Sequence, residues 1–445
     1  MNAPSGSLLR QLAATVLVGL TAGAVASLFH AALSAVFELL VLGPSGWPFP
    51  LFLTLVMLLM ATGAFVTGWL MTCFAPDAPG SGIPQVKVAY AHGGDAFSPH
   101  LPWVKFVGGV LSIGTGSSLG REGPTIHIGA AVASRIAGWF GEDPAAKRNA
   151  LCAGSAAGLA AAFGSLLAGV TLVLEEIAGG RDEAKFAGRA LLAAALAAAV
   201  VAFFGSGKPS LFLGPDLPLP WKVLWLSPVV ALCAGGAGIL FQWATLNLRN
   251  AGRQSRLPVP ARLALGAAAA GLVSAAAFGL TGNPGAFGLG EDQLQAALRG
   301  NVLWLPALVL LVAKLLATIT CYGSGGCGGI FAPVIFFGGM AGLAVHGLAA
   351  FAIALGPADA TLLGLVGMTA CLAAVVRAPI TSILIVVEMT RQLQVLPALM
   401  VAAVIGVYLN RLCFHRNFYD EAIEQDRVLA AIPLTDPGRT GSKNL

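Results

Sequence analysis

Long apolar stretches, separated by a few polar, Gly or Pro residues, recur along the whole chain. Several are long enough to form a helix that crosses the ~30 Å hydrocarbon core of a bilayer. Others contain Gly or Pro and are too short to span upright, which is tolerated where a segment packs against protein or lines a cavity. The pattern predicts an all-α polytopic membrane protein with many tilted and broken helices. The candidate stretches are 11–41, 51–74, 104–119, 125–140, 148–178, 187–204, 223–246, 261–280, 302–321, 329–355, 358–390 and 395–413.

Composition agrees with this prediction, because hydrophobic residues make up 57% of the 445 residues and charged residues only 10%. A soluble domain contains about 25% charged residues, so a soluble fold is excluded. The first apolar stretch follows Arg10 and is longer than the core of a signal peptide, with no clear small-residue cleavage site after it. We expect it to be retained as a membrane helix.

Basic residues cluster in the loop 247–262 and beside the last apolar stretch. Cytoplasmic loops are enriched in Lys and Arg, so both regions, and both termini, are predicted to be cytoplasmic. Loop 205–222 has few basic residues and is predicted to lie outside. No nucleic-acid partner is expected, since loops beside membrane helices are commonly basic for topological reasons alone. The clustered residues are Arg249, Arg253, Arg256, Arg262, Arg411, His415 and Arg416.

The seven cysteines and six histidines show no pattern of a metal or disulfide site. No CxxC pair occurs, and most cysteines lie within apolar runs, which is typical of reduced core residues. No HExxH or similar spacing occurs among the histidines. No metal or other cofactor is therefore expected.

Two sequence matches, in the same order and at nearly the same offset, predict two related halves. GREGP, followed by Gly129, resembles GIFAP, followed by Gly338, and LAGVTLVLEE resembles ITSILIVVEM. Duplicated halves, often inverted, are common in secondary transporters, whose substrate site lies near the membrane midplane at the ends of discontinuous helices. The predicted boundaries are a membrane transport domain at 1–415, with two related halves at about 1–205 and 215–415, and a short cytoplasmic tail at 416–445. Sequence similarity alone does not give the relative orientation of the halves, and we expect an inverted one.

Three short Gly- and Pro-rich stretches lie where helices could begin: GSGIP (80–84), GREGP (120–124) and GIFAP (329–333). Proline is tolerated there because the first N–H groups of a helix have no intrahelical partner. Those N–H groups and the positive end of the helix dipole suit a bound anion, and glycine lets the backbone approach it closely. Three such starts meeting in mid-membrane would bind an anion without a full positive charge, which favours rapid release.

Glu122 is a carboxylate placed at one of these helix starts. It could occupy the anion site itself, because leaving it ionised in the membrane without partners is costly. Burial favours the protonated form of Glu122, whereas the helix N–H groups favour the ionised form. The side chain could therefore gain and lose a proton under working conditions, and its neutral form would leave the site so that an anion could enter. The alternative is a structural ion pair with Arg121.

The three stretches, in this order, resemble the signature of the CLC family of chloride channels and proton-coupled chloride transporters. The resemblance covers nearly the whole membrane domain and includes WVKFVGG, LAGVTLVLEE, RAPITSILIVVEMT and NFYDEAI. It implies a CLC-like fold of the prokaryotic type without C-terminal CBS domains, a homodimer with one pore per subunit, and a bacterial inner or plasma membrane. Chloride and related monovalent anions, protons and the lipid bilayer are the implied partners.

By this resemblance, Glu122 is the outer gate and Glu176 is the inner acid that transfers protons in the exchangers. An apolar residue fills the latter position in family channels, so Glu176 favours proton-coupled antiport. A competing interpretation pairs Glu176 with Arg181 or Lys185 at a helix end. The implied anion-binding residues are Ser81 through its hydroxyl, Gly82, the backbone N–H groups of Ile330 and Phe331, and Tyr419 on the inner side.

Other residues admit structural interpretations as well. Lys105 could raise the positive potential near the anion, or it could anchor a helix at the membrane interface. Ser81 could serve as an ordinary N-cap. Tyr419 could be an interfacial aromatic, and Phe331 could belong to the core. For Glu175 and Glu388, at matching places in the two halves, we prefer a structural role.

Ser81 also bears on selectivity. In relatives, proline at this position accompanies nitrate preference and fluoride exporters depart from the motif, so serine implies chloride, with other halides and nitrate tolerated. This chain departs from many relatives at residues 164–166, at Cys327 and at Asn417, which replaces a common proline two residues before Tyr419. These departures affect the expected local backbone and the placement of Tyr419.

Two other functions compete with antiport. The first is a passive, voltage- or pH-gated chloride channel of the same fold. The second, more remote, is an intramembrane serine hydrolase, because GSSLG (116–120) matches G-x-S-x-G with Ser118 as the nucleophile. That motif expects a strand, turn and helix with a His and an acid, whereas here it lies in a membrane run of small residues, so we predict that the protein is not an enzyme.

Overall fold

The computed structural model describes residues 5–94, 97–179, 183–205, 211 and 213–430. Within them, the regular structure is helical apart from one isolated β-bridge. Nine of the described helical segments are long and apolar enough to cross a membrane. The chain is thus an all-α, multi-pass membrane protein, as predicted.

The helices are α1 (Ser5–Phe37), α2 (Phe49–Phe74), α3 (Ile83–Ala91), α4 (Leu101–Gly114), α5 (Glu122–Trp139), α6 (Pro144–Phe163), α7 (Leu166–Leu172), α8 (Glu183–Phe204), α9 (Trp221–Gln254), α10 (Val259–Thr281), α11 (Glu291–Ala296), α12 (Trp304–Gly323), α13 (Phe331–Ala349), α14 (Pro357–Val376), α15 (Pro379–Thr390), α16 (Leu396–Cys413) and α17 (Phe418–Ala430). Single π turns at Glu38–Leu42, Val173–Ile177 and Ala297–Asn301 extend α1, α7 and α11. Short 3₁₀ turns lie at Gly43–Gly46 and Pro284–Ala286.

Two of the long predicted stretches are each divided into two helices. The stretch 148–178 breaks at Gly164, which ends α6 in the left-handed conformation at φ 68°. The stretch 358–390 breaks after Arg377, also left-handed at φ 59°, before α15 begins at Pro379. Glycine ends helices readily in this conformation, and proline suits a helix start. The helices are therefore interrupted at both positions, although the sequence remains apolar across them.

The cytoplasmic loop predicted at 247–262 is shorter in the structure. Helix α9 continues to Gln254 and α10 begins at Val259. The connection is therefore only a few residues long, and part of the arginine cluster lies on the last turns of α9.

The interior is built from helix pairs that touch through glycines. A Cβ added at Gly338 of α13 would lie 2.6 Å from the Gly367 carbonyl oxygen of α14, and one at Gly129 of α5 would lie 2.4 Å from the Gly154 carbonyl oxygen of α6. Small residues let membrane helices approach at the backbone. Gly129 and Gly338 are the glycines that follow the two matching Pro motifs, so the same close contact occurs in both halves.

A second contact is reciprocal between the halves. The Glu388 carboxylate accepts hydrogen bonds from the Leu167 and Ala168 N–H groups, at 3.0 Å each, at the start of α7. The Glu175 carboxylate accepts from Ile380 and Thr381, at 3.1 and 2.8 Å, at the start of α15. Each half thus supplies a carboxylate that satisfies free N–H groups of a helix in the other half.

Removing one of these carboxylates should destabilise the protein. Glu388→Ala leaves the N–H groups of Leu167 and Ala168 without this partner, at a cost of about 1–2 kcal/mol, as for other lost helix caps. We expect a lower midpoint of thermal unfolding in detergent. Glu38→Ala, at an exposed acid outside this contact, is the control. An unchanged midpoint for Glu388→Ala would contradict the capping role.

Candidate anion-binding site

The three Gly- and Pro-rich stretches meet in the structure. Gly120 and Gly329 exchange two backbone hydrogen bonds, of 2.8 and 2.7 Å, and Gly80 donates to the Gly326 carbonyl at 3.1 Å. A Cβ added at Gly123 would lie 2.6 Å from the Ser81 carbonyl oxygen. The three segments are therefore in direct backbone contact, and this contact requires glycine.

Three helices begin at this meeting point: α3, α5 and α13. Each has a proline within its first three residues, and none has a hydrogen bond from the side chain of its N-cap residue, Gly82, Arg121 or Ile330. Free N–H groups and the positive ends of helix dipoles are thus concentrated in one buried region. This arrangement suits a small anion.

The Glu122 side chain lies within this region and is fully buried. Its Oε1 accepts a hydrogen bond of 3.0 Å from the Ala332 N–H in the first turn of α13. Oε2 has no partner among the described residues. Cβ atoms added at Gly120 and Gly329 would lie 2.0 and 2.7 Å from Oε1, so both glycines provide the space that the carboxylate fills.

Arg121 points away from Glu122. Its guanidinium donates to Glu291 Oε2 at 2.9 Å and to the Ala162 carbonyl at 3.1 Å, and it contacts the His30 ring. The ion pair between Arg121 and Glu122, left open by the sequence, is not formed. The two charged residues are adjacent in sequence but contact different groups, because neighbouring side chains at a helix start project in different directions.

Ser81 is buried at the start of α3. Its Oγ is 3.3 Å from the Ile83 N–H, and its own N–H donates to the Tyr322 hydroxyl at 3.3 Å. The serine hydroxyl therefore binds the first N–H of α3, although the N-cap residue itself is Gly82. The neighbouring Tyr322 was not anticipated. No motif marks Tyr322, because it ends an ordinary apolar run of α12.

Tyr419 is the second residue of α17 and is fully buried, so it is not an interfacial aromatic. Its ring packs 6.4 Å from that of Phe331, itself fully buried, measured between centroids. Its hydroxyl forms no hydrogen bond of normal geometry within the described residues.

Lys105 on α4 is fully buried and does not anchor a helix at the interface. Its Nζ donates to the carbonyls of Ala78 and Gly80, both at 2.6 Å. The lysine thereby holds the loop that leads into Ser81 and brings a positive charge to it.

Glu176 lies on the π turn after α7 and is 3% exposed. Lys87 Nζ is 2.7 Å from its Oε1, and Asn417 Nδ2 donates to its Oε2 at 2.8 Å. The pairing with Arg181 or Lys185 falls outside the described residues, since Arg181 and the Lys185 side chain are not described. Lys87 and Asn417 could not be assigned from the sequence because each lies far from Glu176 along the chain.

The positions at which the sequence departs from many members of the resembled family can be located in the structure. Asn417 binds Glu176, and Gly164 ends α6. The buried Cys327 lies beside Lys105, with its Sγ 4.0 Å from the Lys105 carbonyl oxygen. Asn417 and Cys327 thus contact candidate functional residues, whereas Gly164 is exposed at the end of α6.

Ser118, the serine of the G-x-S-x-G match, lies between α4 and α5. Its hydroxyl is 2.8 Å from that of Thr318, with no strand leading into it. All seven cysteines are free. The described part of the chain contains no group of three His, Cys, Asp or Glu side chains that could hold a metal ion.

Comparisons with known proteins agree with the geometry. The family model "Voltage gated chloride channel" matches residues 63–411. The chain is 32% identical over 427 residues to the H(+)/Cl(-) exchange transporter ClcA of Vibrio vulnificus, covering 92% of this chain and 88% of that one. It is 33% identical over 362 residues to ClcA of Citrobacter koseri, covering 79% and 73%.

A similar solved structure is that of a slow cyanobacterial Cl-/H+ antiporter. It superposes with a TM-score of 0.83 at 28% sequence identity and covers 97% of this chain and 99% of the other. The predicted CLC-like fold is therefore confirmed.

Proposed function

We propose that this chain, which belongs to the voltage-gated chloride channel (CLC) family, is a proton-coupled chloride antiporter. The observation that supports this most directly is the Glu122 carboxylate bound to the start of α13 through the Ala332 N–H, where an anion would otherwise bind. Relatives named as H(+)/Cl(-) exchange transporters, at about a third identity over most of both chains, support exchange over passive conduction.

The anion is bound by helix starts rather than by a full positive charge. In the proposal, chloride accepts hydrogen bonds from the Ser81 hydroxyl, the Tyr419 hydroxyl and the N–H groups of Ile330 and Phe331, with Gly82 giving the backbone close access. Backbone dipoles stabilise an anion more weakly than a lysine or arginine in contact with it. Such a site can release chloride quickly, as transport requires.

Exchange follows from competition for one site. Ionised Glu122 occupies the anion position, and its protonation removes the charge that the α13 N–H groups attract. The neutral side chain leaves, chloride enters, and the proton moves with Glu122. Glu176 supplies or receives that proton at the inner side. No metal or other cofactor takes part in this cycle.

The remaining features of the proposal come from the family. The chain functions as a homodimer with one pore per subunit in a bacterial inner or plasma membrane, with both termini cytoplasmic. Serine at position 81 favours chloride, with other halides and nitrate tolerated.

Purified protein in liposomes tests the proposal directly. An outward chloride gradient, with no proton gradient, should drive protons into the liposomes against their own electrochemical gradient until the two balance. Chloride efflux and external pH are recorded together. Chloride movement without any uphill proton movement would instead identify a passive channel, and no chloride movement would reject both.

A further inference from the structure

Lys87 joins the inner glutamate to a second acid that the transport cycle does not yet use. The Lys87 Nζ lies 2.7 Å from Glu176 Oε1 and 2.6 Å from Asp420 Oδ1. The lysine is on α3, Glu176 is on the π turn after α7, and Asp420 is on α17. Three separate elements thus bring a carboxylate, an ammonium and a second carboxylate into one hydrogen-bonded row.

Exposure rises steadily along this row. The side chain of Glu176 is 2% exposed, that of Lys87 is 17% exposed and that of Asp420 is 41% exposed. Glu176 itself therefore has almost no contact with water. A proton that reaches it from solvent must pass through a neighbouring group, and Lys87 is the titratable neighbour within hydrogen-bond distance.

Asn417 fixes the orientation of the row. Its Nδ2 donates to Glu176 Oε2 at 2.8 Å, while its Oδ1 accepts the Asp420 N–H at 2.8 Å. Glu176 Oε2 is thus occupied by a group that cannot transfer a proton, and Oε1 faces Lys87. Glu175, the other acid of the same turn, binds the start of α15 instead.

We propose that protons reach Glu176 from the cytoplasmic side through Asp420 and Lys87. This inference rests on the proposed antiport and adds the route by which its inner acid is loaded. In the inward direction of the relay, an Nζ–H bond of the Lys87 ammonium breaks and an Oε1–H bond of Glu176 forms. The neutral amine then takes the proton that Asp420 has accepted from water, and the reverse steps return a proton to solvent.

The transfer is physically accessible because it removes two buried charges at once. Burial disfavours both a carboxylate and an ammonium, and the attraction within an ion pair only partly offsets this cost. Transferring one proton within the hydrogen bond between Lys87 Nζ and Glu176 Oε1, which are 2.7 Å apart, converts the ion pair into a neutral pair. The Asp420 carboxylate then attracts the next proton towards Lys87.

A purely positioning role for Lys87 makes a different prediction. If the lysine only holds Glu176 in place, any permanent cation of sufficient length should substitute for it. Arginine reaches both carboxylates and stays charged, but it does not give up its proton at usable pH. Lys87→Arg therefore separates the relay from simple positioning.

The test measures chloride and proton fluxes of Lys87→Arg, Lys87→Met and Asp420→Asn in liposomes. We expect both Lys87 variants to transport chloride while their coupled proton flux falls by roughly 100-fold, the lower end of what a positioned proton-transfer group contributes. Asp420→Asn should lose less, because Lys87 retains some contact with water. Lys222→Arg is the matched control, since Lys222 Nζ forms a 2.6 Å ion pair with Asp359, away from Glu176.

Wild-type coupled proton flux in Lys87→Arg would overturn the relay. Wild-type coupling in both Lys87→Met and Asp420→Asn would do the same without depending on arginine. If the unmodified protein and Lys222→Arg fail to couple chloride to protons, the antiport proposal itself is wrong, and that result is distinct from loss of coupling in the Lys87 variants alone.

Discussion

Glu122→Gln should abolish coupled proton movement while chloride still crosses the membrane. The amide has nearly the shape of the carboxyl group, is permanently neutral and cannot take up a proton, so it resembles Glu122 in its protonated state. It has no negative charge for the Ala332 N–H to hold at the anion position. Chloride should therefore no longer compete with a carboxylate for the site.

The measurement is simultaneous recording of chloride efflux and external pH from liposomes. Proton uptake should fall to the level of protein-free liposomes, and chloride efflux should lose its dependence on pH, since in the wild type acid releases the carboxylate from the site. Glu38→Gln makes the same chemical change at an exposed acid and should leave both fluxes unchanged. Uphill proton movement in Glu122→Gln would show that another group carries the proton.

Glu176→Gln should uncouple the two ions by a different route. The change leaves the anion site and Glu122 intact, but it removes the buried acid that receives protons at the inner side. Chloride should pass, whereas coupled proton flux should fall by roughly 100-fold. The oxygen of the glutamine side chain can still accept a hydrogen bond from Lys87 or Asn417, so the local fold should be preserved.

Glu175→Gln is the closest control for this second experiment. It neutralises the adjacent residue, whose carboxylate binds the N–H groups of Ile380 and Thr381 rather than Lys87. We expect normal coupling and somewhat lower thermal stability. Equal loss of coupling in Glu175→Gln and Glu176→Gln would mean that the local charge, rather than a proton acceptor at position 176, governs exchange.

The long helices of the fold could be predicted because the apolar runs that form them exceed the width of a bilayer. Short helices could not: α3, α11 and α17 have nine, six and thirteen residues. They start at loops or contain many polar residues, so hydropathy gives no signal for them. The breaks at Gly164 and Arg377 were missed because apolar composition continues across both.

The centre of the candidate site could be located because three Gly- and Pro-rich stretches marked helix starts in an apolar chain. Its surroundings could not, since they depend on which distant segments meet. Lys87 contacts a carboxylate 89 residues away, and Asn417 contacts the same group from 241 residues away. A residue type and its spacing identify a local structure, whereas only the packed fold decides that Arg121 pairs with Glu291.

The reciprocal contacts of Glu175 and Glu388 have a consequence for biosynthesis. The N–H groups of Leu167 and Ala168 donate to a carboxylate that lies up to 221 positions further along the chain. At ~5–20 residues per second, the ribosome takes about 10 to 40 seconds to produce that partner. During this interval the first half resides in the membrane with an unfinished helix start, so its final packing must wait until translation of the second half is nearly complete.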